Sequence, residues 1–403
     1  MWSKHRNKVL LIKILLLVVM LLMMVGGLSG LGCIKGLQPV GWSGGAVVDG
    51  TLFVGSTEGR LVAINIADGS RQWSEALTKP AAAGIFGCEA STAGGGCAAA
   101  PAGVAIYGTP AMADGLVYIG GYNGKISAFN ASSLAVRWVY PREGYLDEPV
   151  VGGPVVAQGK VYIGASDGKF YALNAETGDR EWEFQAGDKI WSTPVVDGDT
   201  VYFGSFDNKL YALSATDGSK KWEFETEGAI AATPLVYNNT VYIGSFDRHL
   251  YALNAANGSL EWKFMGGNWF WAKPVVYNNT IYAPNLDGKV YILNAETGDE
   301  IVDAVDLGSP ISSSPVIVDG SVIFASQKGL IYSIDTDGNE ISPPNPIDVE
   351  KNVYGPLSAS EGIVYIHALK IVSGCATSPS EGELIRLNAQ KWEIEESIPL
   401  SSE

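Results

Sequence analysis

Residues 154–184 read PVVAQGKVYIGASDGKFYALNAETGDREWEF, residues 194–224 read PVVDGDTVYFGSFDNKLYALSATDGSKKWEF, and residues 234–264 read PLVYNNTVYIGSFDRHLYALNAANGSLEWKF. Three near-copies at a fixed spacing identify a repeat protein before any single motif is weighed. Looser copies start at Pro110, Pro274, Pro315 and Pro356, so the seven prolines from Pro110 to Pro356 are spaced by 44, 40, 40, 40, 41 and 41 residues. Gly45 lies seven residues before Leu52, as Pro154 lies seven before Val161, and opens an eighth copy.

Each copy holds four short β segments. PVV, VYIG and KLYAL are runs of β-branched and aromatic residues, EWEF closes the unit, and DG, NN, SDGK and ETGD supply turns between them. Four strands per ~40 residues, eight times over, predict an all-β chain: an eight-bladed β-propeller of four-stranded antiparallel blades, with almost no helix. A solenoid fits the same period but needs capping repeats, which ring closure makes unnecessary.

Composition agrees. Of 403 residues 47% are hydrophobic and 17% charged, which suits a large core and excludes a disordered chain. Lys+Arg 27 against Asp+Glu 43 gives a net charge of −16, so a nucleic-acid partner is not expected. Lys4, Arg6, Lys8 and Lys13 precede the apolar run from Ile14 to Val25 and the small-residue stretch GGLSGLGC, which ends at Cys33. This pattern predicts export, with residues 1–33 a signal peptide whose lipobox, imperfect because Gly30 stands where Leu is usual, leads to acylation of Cys33; an uncleaved signal anchor or plain cleavage is the alternative. Residues 34–41 then form a linker, 42–398 the propeller and 399–403 a tail, with the body on the extracytoplasmic side of a membrane, in the periplasm or at the cell surface.

The repeated unit, with its LNAETG…W core, resembles the PQQ-like (quinoprotein-type) β-propeller repeat over residues 42 to about 396. That repeat occurs in quinoprotein dehydrogenases and in BamB-type outer-membrane assembly lipoproteins. The export signal and the bare eight blades look most like the latter. The resemblance implies that Trp73, Trp138, Trp182, Trp222, Trp262 and Trp392, which share one place near the start of the outermost segment, dock each blade onto the next. Blade 6 has IVDAV and blade 7 NEIS at that place. It further implies a non-enzymatic scaffold for binding other envelope proteins. Quinoprotein dehydrogenases, as that family implies, carry calcium ligands, a catalytic Asp and often paired adjacent cysteines. No adjacent cysteines occur here, so neither PQQ nor another cofactor is expected, and a PQQ-dependent dehydrogenase is an alternative reading.

If the four segments are strands A to D, antiparallel pairing puts the D-to-A and B-to-C connections on one rim. The departures from the repeat fall there: Glu75 to Ile106, Tyr140 to Val151, Leu369 to Gly382, and the proline-rich SPPNPIDVEKNVYG between blades 7 and 8. Loops on a rigid scaffold commonly carry function, which makes this rim the expected functional face. Trp191 and Trp271 stand three residues before their repeat prolines, where Val151, Ala231 and Ser312 stand elsewhere, and Tyr107 fills the matching place before Pro110. These three should circle the channel mouth, extended by Trp269, Phe270 and the B-to-C residues Phe206 and Phe246. Such aromatics suit a partner surface or the floor of a small-molecule or glycan site, and equally ordinary packing of the channel mouth.

Cys88 and Cys97, separated by small and glycine residues, are expected to form a local disulfide, whereas Cys375 has no evident mate. No cysteine or histidine spacing matches a metal site, and no catalytic residue is expected: His249 and His367 lie on separate blades. Asp167, Asp207, Asp247 and Asp287 recur at one B-to-C place, which argues for turn formation rather than acid–base chemistry.

Overall fold

A computed structural model describes residues 43–78, 104–336, 341, 345–370 and 381–401, excluding the side chain of Glu381. Eight antiparallel sheets follow one another along the chain, seven of four strands and a last one of five, and the described residues contain no helix. Blades 1 to 8 span residues 46–73, 111–140, 155–185, 195–225, 235–265, 275–306, 316–348 and 352–399. The eight-bladed propeller read from the repeat is therefore the fold. Cys33, Cys88, Cys97 and Cys375 lie outside the described residues, as do the signal segment and much of two insertions.

The period-two alternation of the strands explains how blades stack. In strand B of blade 3, Lys160–Gly164, Val161 and Ile163 pack against blade 2, while Tyr162 between them packs against blade 4. Each blade thus presents apolar residues on both faces, as a sheet buried on both sides must. The innermost and outermost strands are more exposed, so the core lies in the seams between blades.

Four seams share one chemistry. The indole Nε1 of Trp138, Trp182, Trp222 and Trp262 donates to the carbonyl of Ala175, Ala215, Ala255 and Ala295 in the next blade, at 2.8, 3.2, 2.9 and 3.0 Å. The hydroxyls of Tyr118, Tyr162, Tyr202 and Tyr242 donate to the same four carbonyls. Under each indole lies the turn glycine of the next blade, Gly178, Gly218, Gly258 or Gly298; a Cβ there would meet the ring at 2.6 Å. All four glycines have φ between 72° and 75°, so the residue that avoids a clash also relieves the backbone.

Trp73 and Trp392 depart from the expected role. Strand D of blade 3 carries a bulge that pairs Trp182 with Ala172. Strand D of blade 1 has no bulge, pairs Val62 with Trp73, and so turns the indole to the opposite face. Trp73 packs in the cluster formed with blade 8 rather than with blade 2. Trp392 stands four residues after Asn388, the place that Gly178 occupies after Asn174, and has the same left-handed backbone at φ 53°. Its indole donates backwards, to Asn345 O of the preceding segment at 3.1 Å. Blade 7 lacks a seam Trp, and Trp392 supplies an indole to that seam from the other side. In the register of Trp182, opposite Arg386, blade 8 places Glu396.

Two further boundaries differ from expectation. Part of the proline-rich stretch belongs to blade 7, where Ile347–Asp348 forms the outermost strand, and Asn352–Val353 already pairs with blade 8. Leu400, expected in the tail, is fully buried in the cluster that joins blades 8 and 1.

Candidate functional site: the mouth of the central channel

The five residues that enter strand A decide what surrounds the channel. Counting back from the repeat prolines 110 to 315, the fourth residue is Ile106, Val150, Ile190, Ile230, Phe270 or Ile311; all six are buried, the first five against a glycine at the end of strand B of the preceding blade. Phe270, expected on the rim, is instead this core residue: it is 1% exposed and packs in the seam between blades 5 and 6. The third residue back alternates to the other side. Tyr107, Trp191 and Trp271 occupy that place and line one funnel of about 230 Å³ at the channel mouth, together with Val151, Ala231 and Ser312.

Outside the funnel the aromatics form a ladder. Trp271 and Trp269 both stack on Phe246, at centroid distances of 5.6 and 4.6 Å. Phe246 meets Phe206 edge-on at 5.8 Å, and Phe206 meets Trp191 at 4.7 Å. Lys189 Nζ lies 4.6 Å from the Phe206 ring and 5.1 Å from that of Trp191, within the range of a cation–π contact. Ser166 Oγ holds Trp191 by accepting from its Nε1 at 3.0 Å. All five ladder rings are half-buried. Across the mouth, Tyr107 packs on Tyr122 at 5.5 Å.

The described ends of the insertions approach the same rim. Leu77 donates to Gly59 O in the B-to-C turn of blade 1, and Thr78 O accepts from Asn123 in that of blade 2. Leu146 donates to Gly124 O, and Lys125 Nζ donates to Pro141 O at 2.6 Å.

The recurrent aspartates are consumed by local bonds. Asp207 Oδ1 accepts from Lys209 N, and its Oδ2 accepts from the Tyr211 hydroxyl and from Gly187 N of the preceding linker. Asp167, Asp247 and Asp287 bind Tyr171, Tyr251 and Tyr291 in the same way. Burial, reinforced by the aspartate bond, pushes the Tyr291 phenol up to about 12 and holds Tyr171, Tyr211 and Tyr251 well above the ordinary tyrosine range. Among the described residues no cluster of His, Cys, Asp and Glu is placed to hold a metal ion.

Sequence reasoning missed Tyr122, Lys189 and Lys273. For Lys273 the signal was present. The residue before the repeat proline is Thr109, Gly153, Thr193, Thr233, Ser314 and Gly355 in other blades, and Lys only in blade 6.

A family profile described as the β-propeller of the beta-alanine-activating enzyme matches residues 149–402. A second, described as outer membrane protein assembly factor BamB, matches residues 35–144 and 98–191. Among curated proteins no sequence matches the chain. The crystal structure of BamB from Moraxella catarrhalis superposes with a TM-score of 0.65 at 16% identity, covering 80% of this chain and 92% of that one. The computationally designed Ika8 protein superposes equally well, at a TM-score of 0.66 and 14% identity, covering 82% of this chain and 93% of that one. At these identities the likeness is one of fold, and a designed chain shares it.

Proposed function

We propose that this chain, which belongs to the β-propeller family of the beta-alanine-activating enzyme, acts as an exported, membrane-anchored and non-enzymatic scaffold that binds other envelope proteins, as its BamB-like blades suggest. The observation that carries this reading is the half-buried ladder from Trp191 to Trp271 on the rim that also receives the insertions. Aromatic side chains give large contact area at low entropic cost and anchor interfaces, and a rigid ring holds them in place. A fold shared with a designed protein specifies no function by itself, so the argument rests on these residues.

The funnel favours one second reading, a small molecule or glycan seated between Tyr107, Trp191 and Trp271. A calcium-bound quinone suits it less. Among the described residues no carboxylate lines the funnel, and the nearby turn aspartates already spend their oxygens on backbone and tyrosine donors.

The test is the double variant Trp191→Ala, Trp271→Ala. Other blades carry Val151, Ala231 and Ser312 at this place, so the melting temperature should change little. Capture of envelope proteins from solubilised membranes should weaken by about 2 kcal/mol or more, the scale of an interface hot spot. A large loss of stability with capture unchanged would make these residues channel packing.

A further inference from the structure

Among the described residues Lys273 is the one charged residue lining the funnel. Its backbone N–H donates to Ser314 Oγ at 3.1 Å, and Ser312, Ser314 and Thr233 line the same funnel. Among the described residues no carboxylate lies within ion-pair distance of its ammonium, although thirteen ion pairs of lysine or arginine are formed among those residues. Lys351, at the fifth place before Pro356, is paired with Glu383 at 3.0 Å. A half-buried cation with no carboxylate partner among the described residues is costly, and repeats elsewhere show that a threonine, serine or glycine fills the same place.

We propose that Lys273 receives a side-chain carboxylate from an extended acidic segment of the partner protein, while apolar residues flanking that carboxylate lie on the ladder outside. This rests on the rim being a partner surface. Three features support it. The funnel holds about 230 Å³, room for a side chain rather than a folded element, and opens onto an apolar shelf suited to its neighbours. Lys189, beside the shelf, adds a second positive charge at the mouth of a molecule whose net charge is −16. Burial lowers the affinity of Lys273 for its proton, so an arriving carboxylate relieves a cost already present in the free protein.

The probes are acetyl-Leu-Glu-Leu-amide and its Gln twin, titrated into the whole protein with tryptophan fluorescence and NMR shifts as readouts. The Glu peptide should bind at least ten-fold more tightly than the Gln peptide. Lys273→Met should bring it down to the Gln level without touching the Gln peptide, and Lys273→Arg should retain the preference. The melting temperature of Lys273→Met should hold or rise, because a half-buried charge with no carboxylate beside it among the described residues is removed, so misfolding would be visible separately. Equal binding of the two peptides, with both lost in Trp191→Ala, Trp271→Ala, overturns the role of Lys273 and leaves the rim as a partner surface. Loss of neither peptide in that double variant tells against the rim reading itself. Lys273-dependent binding of phenylacetate with no binding of either peptide overturns the peptide source in favour of a small carboxylate.

Discussion

Trp222 and Gly258 show what a single residue contributes to this ring. Trp222 is 8% exposed, donates to Ala255 O across the seam and rests on Gly258, whose φ is 72°. Trp222→Ala removes the packing and the bond together and should cost roughly 3–5 kcal/mol in a denaturant titration, as aromatic truncations in cores do. Gly258→Ala probes the other half of the contact. The added methyl meets the indole at 2.6 Å on a left-handed backbone, so a loss of more than about 1 kcal/mol is expected. A neutral outcome there would mean that the indole moves freely and that the seam is not close-packed. The same logic accounts for Trp392, which the sequence pattern places with the other tryptophans. Its spacing from Asn388 is that of a turn glycine, and only the missing Trp of blade 7 makes room for an indole at that point.

At the scale of the strand and turn, the B-to-C aspartates tie three groups at once: a backbone N–H two residues on, a buried tyrosine hydroxyl and the preceding linker. The tyrosines have folded-state affinities for their protons above those of the unfolded chain. Their contribution to stability is therefore complete below about pH 10 and is lost as the pH rises towards 12, where Tyr291, Tyr118 and Tyr162 ionise in the folded protein. Urea midpoints at pH 9 and 11 should show a marked fall, and Tyr291→Phe should make it shallower. An unchanged midpoint would mean that these hydroxyls are not shielded. Elements also mark the limit of what the sequence discloses. The four-strand unit, the blade number and the place of Tyr107, Trp191 and Trp271 at the channel mouth were legible, because each follows from a repeated period. Phe270 was misplaced, although Ile190 and Ile230 at its place signalled a buried side chain. The orientation of Trp73 was hidden, because it depends on the absence of one bulge that no residue type announces. Lys273 was legible only by asking which residue breaks a column of small and hydroxylated ones.

A ring is only as good as its closure, and here the closing seam is unlike the others. Blades 8 and 1 meet through Leu52, Val54, Val62, Ile64, Tyr365, Leu384, Ile398 and Leu400, with Glu396 in place of the seam Trp and its carboxylate facing Gly69. His367 completes the joint. Its Nδ1–H donates to Ser43 O at 2.9 Å, 324 residues away in sequence, while its Nε2 is buried with no hydrogen-bond partner among the described residues. Adding a proton at Nε2 would place a charge in a dry joint, and burial accordingly lowers the folded-state affinity of His367 for a proton. With the folded value depressed, the stabilisation is present above the unfolded value near pH 6.5 and is lost as the pH falls below it, because only the unfolded chain takes up the proton readily. The midpoint of urea unfolding should therefore drop between pH 7.5 and 5.5. His367→Gln, which can keep a donor towards Ser43 O but cannot titrate, should start from a lower midpoint and lose less over the same interval. Equal slopes in the two proteins would place the acid sensitivity elsewhere and show that closure tolerates a charged imidazole. A slope confined to the native histidine would identify the joint between the two ends of the chain as the point at which the ring opens first in acid.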